Sequence, residues 1–229
     1  MRLITVAGPP SAGKTSVIVK IIEALKEERW KAGVIKFDCL STQDQMLYQR
    51  KGIEARTGLS GNLCPDHFFV SNIQDCLAWA QNHQLDVLIS ESAGLCNRCS
   101  PHIRKVLAVC VIDNLSGVNT PRKVGPMLKL ADIVIITKGD IVSQAEREVF
   151  AFRVKQANPG AMIVQINGIT GQGAREVGQI LKDAPPVDSL TDYHLRFSMP
   201  AATCSYCLGQ TRIGQNFQMG NVRKVNLDG

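Results

Sequence analysis

The segment Gly8-Pro-Pro-Ser-Ala-Gly-Lys-Thr15 stands between an apolar run, Arg2 to Ala7, and a helical pattern from Thr15 to about Glu28. It fits G-x-x-x-x-G-K-[ST], and the strand-loop-helix setting gives that spacing a physical meaning. Backbone N–H groups of such a loop converge at a helix N-terminus, where they bind phosphate oxygens. Gly8, Ser11, Ala12, Gly13, Lys14, Thr15 and Ser16 are the expected phosphate cradle. Lys14 is placed to neutralise the β and γ phosphates, and the Thr15 hydroxyl to hold Mg²⁺. A nucleoside triphosphate is the expected ligand.

Strand and helix patterns keep alternating beyond this unit. Gly33 to Phe37, Leu85 to Ser90, Lys105 to Asp113, Asp132 to Thr137 and Ala161 to Asn167 read as strands. Thr42 to Lys51, Ile73 to Asn82, Pro121 to Leu130, Ser143 to Gln156 and Gly173 to Lys182 read as helices. Near-continuous apolar strands alternating with helices imply an α/β fold, a doubly wound and mostly parallel sheet covered on both faces. The rhythm stops at Asp183-Ala-Pro-Pro. Residues 1–183 are therefore expected to form a P-loop nucleotide-binding domain, and residues 184–229 a cysteine-containing C-terminal appendage.

Composition narrows the partners. With 229 residues, 45% of them hydrophobic and 20% charged, the chain can bury the core of one globular domain. Its apolar stretches, such as Val106 to Ile112, fall far short of the roughly 18 residues of a membrane helix. The start, MRLITVAGPP, lacks the hydrophobic core of a signal peptide, so a cytoplasmic location without a membrane partner is expected. Aromatic residues make up only 5% and do not interleave with a basic stretch, which argues against nucleic acid. The net charge of +6 is concentrated between Cys96 and Lys129, where six Lys or Arg face one Asp. Such a segment reads as a solvated basic face or as a patch that meets phosphate or a partner.

Three further segments carry candidate chemistry. Thr137-Lys138-Gly139-Asp140 follows an apolar strand, where P-loop GTPases carry Asn-Lys-x-Asp. The Asp140 carboxylate can accept from two guanine N–H groups that adenine lacks, and the Lys138 stem can lie over the base. GTP is favoured on this basis, and ATP stays open. Leu85 to Gly94 is an apolar strand ending in Glu91-Ser-Ala-Gly94, and Asp38 closes the strand before it in Lys36-Phe-Asp-Cys. Thr15, Asp38 and Glu91 are the expected oxygen donors around Mg²⁺, and Lys14, Asp38 and Glu91 the expected catalytic residues.

Eight cysteines in a chain without an export signal point to metal or redox chemistry in preference to disulfides. The pairs Cys96-Asn-Arg-Cys99 and Cys204-Ser-Tyr-Cys207 can each place two sulfurs on one ion, and four thiolates suit Zn²⁺ or a [4Fe-4S] cluster. Thiol exchange is the alternative use of such a pair. Cys64 and His67, read as lying on one loop, are a second and weaker ligand pair. Cys76 and Cys110 read as small core residues.

The order of these parts resembles the metallocenter-assembly GTPases that serve urease and nickel hydrogenase, within the wider cobalamin-synthesis-like family. The P-loop, Asp38 with Ser-Thr-Gln-Asp44 after it, Cys64-Pro-Asp-His67, Glu91-Ser-Ala-Gly94 and Thr137-Lys-Gly-Asp140 carry the resemblance over roughly residues 1–182. The family's Cys-Pro-His has one extra residue here, as Cys64-Pro65-Asp66-His67. The resemblance implies a GTP-dependent switch, often a homodimer, that loads metal or cofactor onto a client metalloenzyme or its assembly factor. Cys96 follows the Glu91 to Gly94 segment much as a cluster cysteine follows the γ-phosphate-sensing segment of the nitrogenase iron protein. A nucleotide-driven redox protein donating electrons from a [4Fe-4S] cluster, and a small-molecule kinase, are the alternatives.

Overall fold

The structure, a computed structural model, describes residues 1–40, 43–197, 210–217 and 222–227. Strands β1 (Arg2–Ala7), β2 (Ala32–Asp38), β3 (Glu54–Leu59), β4 (Val87–Ser92), β5 (Leu107–Asp113), β6 (Ile133–Thr137) and β7 (Met162–Gln165) form one sheet in the order β3-β2-β4-β1-β5-β6-β7. Every pairing among them is parallel, so the doubly wound α/β expectation holds in its strictest form. The helices are α1 (Lys14–Glu27), α2 (Asp44–Arg50), α3 (Pro65–Asn82), α4 (Thr120–Lys123), α5 (Pro126–Lys129), α6 (Gln144–Ala157) and α7 (Ala174–Asp183). No helix among the described residues is long and apolar enough to cross a membrane.

The two-residue period of the strands divides the core into layers. Ile4, Val6, Val34, Ile89, Val111 and Ile135 face α1, α7 and Tyr48 of α2. On the opposite face Leu3, Ile35, Phe37 and Leu88 meet α3, whereas Cys110, Ile112, Val134 and Ile136 meet α5 and α6. Helix α1 presents Ile18, Ile22 and Leu25 to the sheet at helical spacing, all essentially buried. Each such side chain contributes about 2 kcal/mol through burial.

Three local expectations are corrected. Strand β3 was not anticipated from Glu54-Ala-Arg-Thr-Gly-Leu59, because an edge strand bonded only to β2 needs no continuous apolar run. Helix α3 begins at Pro65 instead of Ile73, so Cys64 is its N-cap, and Asp66 and His67 lie inside the helix instead of on a loop. Proline at the first helical position is itself a start signal. The single helix expected from Pro121 to Leu130 is broken into α4 and α5 at Gly125, whose φ of 68° is followed by Pro126. A side chain at Gly125 would put its Cβ 2.4 Å from the Asn97 carbonyl oxygen.

The chain after α7 is built into this framework where it is described. Val187, Leu190, Leu195 and Ile213 are buried with the α3 layer. The Arg196 guanidinium donates to the carbonyls of Ile103, Val106 and Leu130 and forms a bidentate pair with Asp132. Further on, the Asn72 amide donates to the Arg223 carbonyl and accepts from the Val225 N–H, laying residues 222–227 along α3 and β3.

Strand order reverses at β1, which lies between β4 and β5, and in such sheets ligands bind outside the carboxyl ends of the strands at the reversal. Because β4 is inserted between β1 and β2, Glu91 on β4 is in register with Val6 on one side and Lys36 on the other.

His102 fastens β1 to the segment before β6. Its Nε2–H donates to the Met127 carbonyl at 2.9 Å, which leaves Nδ1 to accept from the Thr5 hydroxyl at 2.9 Å. Burial holds its pKa down at about 4, against about 6.5 in an unfolded chain. Between these values the unfolded state binds the extra proton, so His102 costs stability as pH falls. Asp66 opposes this, because burial raises its carboxyl to about 6 and the folded state then takes up the proton first. Urea unfolding of wild type and His102→Gln should therefore show the variant gaining about 3 kcal/mol relative to wild type between pH 7 and pH 4. A pH-independent difference would contradict a neutral buried imidazole.

Candidate functional site

The loop between β1 and α1 owes its shape to glycine at two points. Gly8 has φ 147°, and a Cβ there would lie 2.0 Å from the Val111 carbonyl oxygen; Gly13 has φ 89° and stands as the N-cap of α1 without a capping side chain. No acid occupies the first turn of α1, so its N–H groups are left for an anion. Helix α6 is the contrast: Ser143 and Glu146 close a reciprocal capping box on its N-terminus.

Lys14 is buried over this loop, with Nζ donating to the carbonyls of Gly8 at 2.9 Å, Pro9 at 2.8 Å and Ala93 at 3.4 Å. Burial lowers its pKa to about 8, a fall that Glu91 limits and Lys36 furthers. An ammonium held by loop carbonyls in a dry setting gains when phosphate oxygens replace them. The adjoining cavity, about 450 Å³, is lined by Thr15, Lys36, Asp38, Asp44 and Glu91 as well as by the loop.

Glu91 has no exposed surface and accepts three hydrogen bonds. Thr15 Oγ1 donates to Oε1 at 2.9 Å, Lys36 Nζ to the same oxygen at 2.6 Å, and the Tyr48 hydroxyl to Oε2 at 2.7 Å. Lys36 also pairs with Asp44 at 2.9 Å. Burial works against the Lys36 charge, but Glu91 and Asp44 outweigh it and raise its pKa. Burial and the Glu91 charge push the Tyr48 hydroxyl well up, so it stays a donor. Asp38 accepts from the Cys39 N–H at 2.8 Å and faces the same cavity. Thr15, Asp38 and Glu91 line this one cavity with hard oxygen atoms, the donor type that Mg²⁺ takes.

On the other side of the loop, Thr137 lacks the amide of the usual Asn, yet its hydroxyl braces the loop by donating to the Ala12 carbonyl at 2.7 Å. Lys138, at φ 56°, donates to the Ser11 carbonyl at 2.9 Å and lies 3.5 Å from Asp113. Asp140 is exposed and lines a second cavity of about 440 Å³ with Arg147, Gln165, Asn167 and Glu176.

The comparisons with known proteins agree with this arrangement. Residues 2–165 match the profile of the nucleotide-binding domain described as CobW/HypB/UreG. The chain belongs to the CobW/HypB/UreG family. An uncharacterized protein of Methanocaldococcus jannaschii is 46% identical over 226 residues, 99% of this chain and 97% of the relative. The urease accessory protein UreG of Edwardsiella ictaluri is 30% identical over 193 residues, 78% of this chain and 92% of the relative. Among solved structures, the hydrogenase maturation factor HypB of Archaeoglobus fulgidus superposes with a TM-score of 0.64 at 23% identity, covering 80% of this chain and 89% of that one. HypB from Helicobacter pylori in complex with nickel gives 0.64 at 18% identity, covering 82% and 91%. These structures share the fold.

Within this family framework the segment after β4 touches the phosphate loop directly. Gly94, at φ 74°, is pressed so closely to Gly8 that a Cβ would lie 1.7 Å from the Gly8 carbonyl oxygen. The chain then passes the exposed Leu95 to Cys96 and the buried Cys99. Burial pushes the Cys99 thiol up, and the charges of Asp66, Cys96 and Cys64 add to the effect. Asp66 hydrogen-bonds Ser92, the neighbour of Glu91. Hydrogen bonds thus run from Thr15 to Glu91, and from the next residue, Ser92, to Asp66, whose charge is felt at Cys99.

The structure brings Cys96, Cys99 and Cys64 into one neighbourhood, while His67 is buried in α3 with its pKa lowered by burial. Among the described residues no set of three or more Cys, His, Asp or Glu side chains stands at metal-ligand geometry. Cys204 and Cys207 lie outside the described residues. Cys76 and Cys110 are buried, with thiols pushed up by burial, Cys110 to about 12. Sequence reasoning missed Lys36 and Tyr48. A lysine inside the apolar Ala-Gly-Val-Ile-Lys-Phe-Asp strand was the available sign, since a buried ammonium requires a partner.

Gly94→Ala should destabilise the fold by about 2 kcal/mol or more, through left-handed strain and collision with the Gly8 carbonyl. Denaturant unfolding measures this. A variant as stable as wild type would mean that the two backbones are not in contact.

Proposed function

We propose that this chain is a GTPase whose nucleotide state sets the position of the loop carrying Cys96 and Cys99, in the service of metal-centre assembly in a client enzyme. The observation that carries the reading is the double contact of that segment with the phosphate loop, Gly94 against Gly8 and the Ala93 carbonyl on Lys14. Similarity to a urease accessory protein and to hydrogenase maturation factors supports the assembly role.

In this reading the first-turn amides of α1 and Lys14 receive the phosphates, so Lys14 leaves its carbonyl partners, Ala93 included. Thr15, Asp38 and Glu91 would hold Mg²⁺, which would supply charge neutralisation to the phosphates. Asp38 orients a water for in-line attack on the γ phosphorus, giving GDP and phosphate. Asp140 accepts from the guanine edge, and Lys138 flanks the base. Loss of the γ phosphate returns Lys14 to the Ala93 carbonyl and moves the cysteine segment with it.

The cargo or resident metal is proposed to sit on thiolates. Cys96, Cys99, Cys204 and Cys207 would suit Zn²⁺ or a [4Fe-4S] cluster, and one of the HypB structures holds nickel. The described chain on either side of residues 198–209 is held by backbone hydrogen bonds. The Leu195 N–H donates to the Thr211 carbonyl, and the Arg196 N–H to the His102 carbonyl, close in sequence to Cys99. A homodimer joined at the cysteine segment is the expected assembly form.

Asp140→Asn should weaken GTP binding by about 100-fold while changing ATP binding little. Calorimetric titration with each nucleotide checks this, and equal losses would remove Asp140 from base reading. Anaerobically purified protein should contain iron with a visible charge-transfer band, or zinc without one, and Cys99→Ser should lose most of it. Full metal content in Cys99→Ser would reject thiolate ligation at this loop.

A further inference from the structure

Lys36 lies at the centre of the Glu91 network, joining β2 to β4 and α2. It stands on β2 in register with Glu91 and is only 5% exposed. Its ammonium lies 2.6 Å from Glu91 Oε1 and 2.9 Å from Asp44 Oδ2, and the same Glu91 oxygen accepts the Thr15 hydroxyl at 2.9 Å. Lys14, the other cation of the cavity, donates to carbonyls instead. Glu91 Oε1, one of the oxygens suited to a divalent ion, therefore already holds a lysine nitrogen as well as the Thr15 hydroxyl.

We infer that Lys36 is an internal cation holding the Mg²⁺ position of the nucleotide-free protein, and that Mg²⁺ arriving with nucleotide must displace it. The inference deepens the nucleotide-switch reading and rests on it for the source of the metal. A fully buried carboxylate needs a positive partner, and Lys36 supplies one to Glu91. A divalent ion on Glu91 Oε1 would face the ammonium at close range, and two cations cannot share that oxygen at low dielectric. Displacement turns Lys36 toward the cavity it already lines, where the terminal phosphate offers a new partner. It also releases Asp44, and Glu91 is bound to Tyr48, so the first turns of α2 feel the exchange. Metal entry would thereby be coupled to α2 as well as to the loop beyond Gly94. Metal bound without nucleotide would be disfavoured.

Titration of nucleotide-free, full-length protein with Mn²⁺, followed by electron paramagnetic resonance of the free ion, tests this without relying on hydrolysis. Lys36→Met should bind Mn²⁺ about tenfold more tightly than wild type or better, and Lys36→Met with Glu91→Gln should lose that gain. Lys36→Gln, which keeps a donor to Glu91, gives the same comparison if the methionine variant does not fold. Equal Mn²⁺ affinity in wild type and the folded lysine variant overturns the inference. A separate titration of wild type with a fluorescent GTP analogue distinguishes the two failures. Nucleotide binding without a Mn²⁺ gain in the variant rejects the role of Lys36 alone. A Mn²⁺ gain in a protein that binds no nucleotide supports the cation exchange and rejects the nucleotide switch.

Discussion

Glu91 is a carboxylate without exposed surface, and the rest of the site is arranged around supplying it with hydrogen-bond donors. Its three donors come from three separate elements: Thr15 at the start of α1, Lys36 on β2 and Tyr48 on α2. The insertion of β4 between β1 and β2 makes this possible, since it places Glu91 within reach of both neighbours. An unpaired ionised carboxylate in such a position would cost several kcal/mol, so the network is a condition of the fold as well as of the chemistry.

From this carboxylate the chain leads directly to the cysteines. Ser92 hydrogen-bonds Asp66 at the head of α3, Ala93 offers its carbonyl to Lys14, and Gly94 lies against Gly8. Two of these contacts, Ala93 with Lys14 and Gly94 with Gly8, tie the segment that carries Cys96 and Cys99 to the phosphate loop. These contacts are short-range and use backbone as much as side chains, and glycine stands on both sides of the closest approach. Small displacements are transmitted because packed backbones move as units instead of deforming.

Much of this was legible in the sequence wherever a local pattern carried the information. The P-loop declared itself by spacing, and the alternation of apolar strands with helices gave the parallel sheet. The Ser143 helix start, read from its pattern, closes with a capping box. The failures have a common cause in tertiary context. Strand β3 is polar because its outer edge is not in the sheet interior, and the Cys64-Pro-Asp-His67 segment reads equally as a ligand motif and as the first turn of a helix. Gly125 breaks the Pro121 to Leu130 segment because Asn97, distant in sequence, leaves no space for a side chain. Lys36 and Tyr48 became visible as site residues only once the strand order placed them beside Glu91.

The account stands on one claim, that occupation of the phosphate loop is felt at the cysteine segment. Amide hydrogen exchange measured by mass spectrometry, with and without a Mg²⁺-bound, non-hydrolysable GTP analogue, tests it directly. Protection should change in peptides spanning residues 91–103 and 36–50 as well as in the phosphate loop, with α6 and β7 serving as the unaffected reference. Protection confined to the phosphate loop, with residues 91–103 unchanged, would contradict the claim.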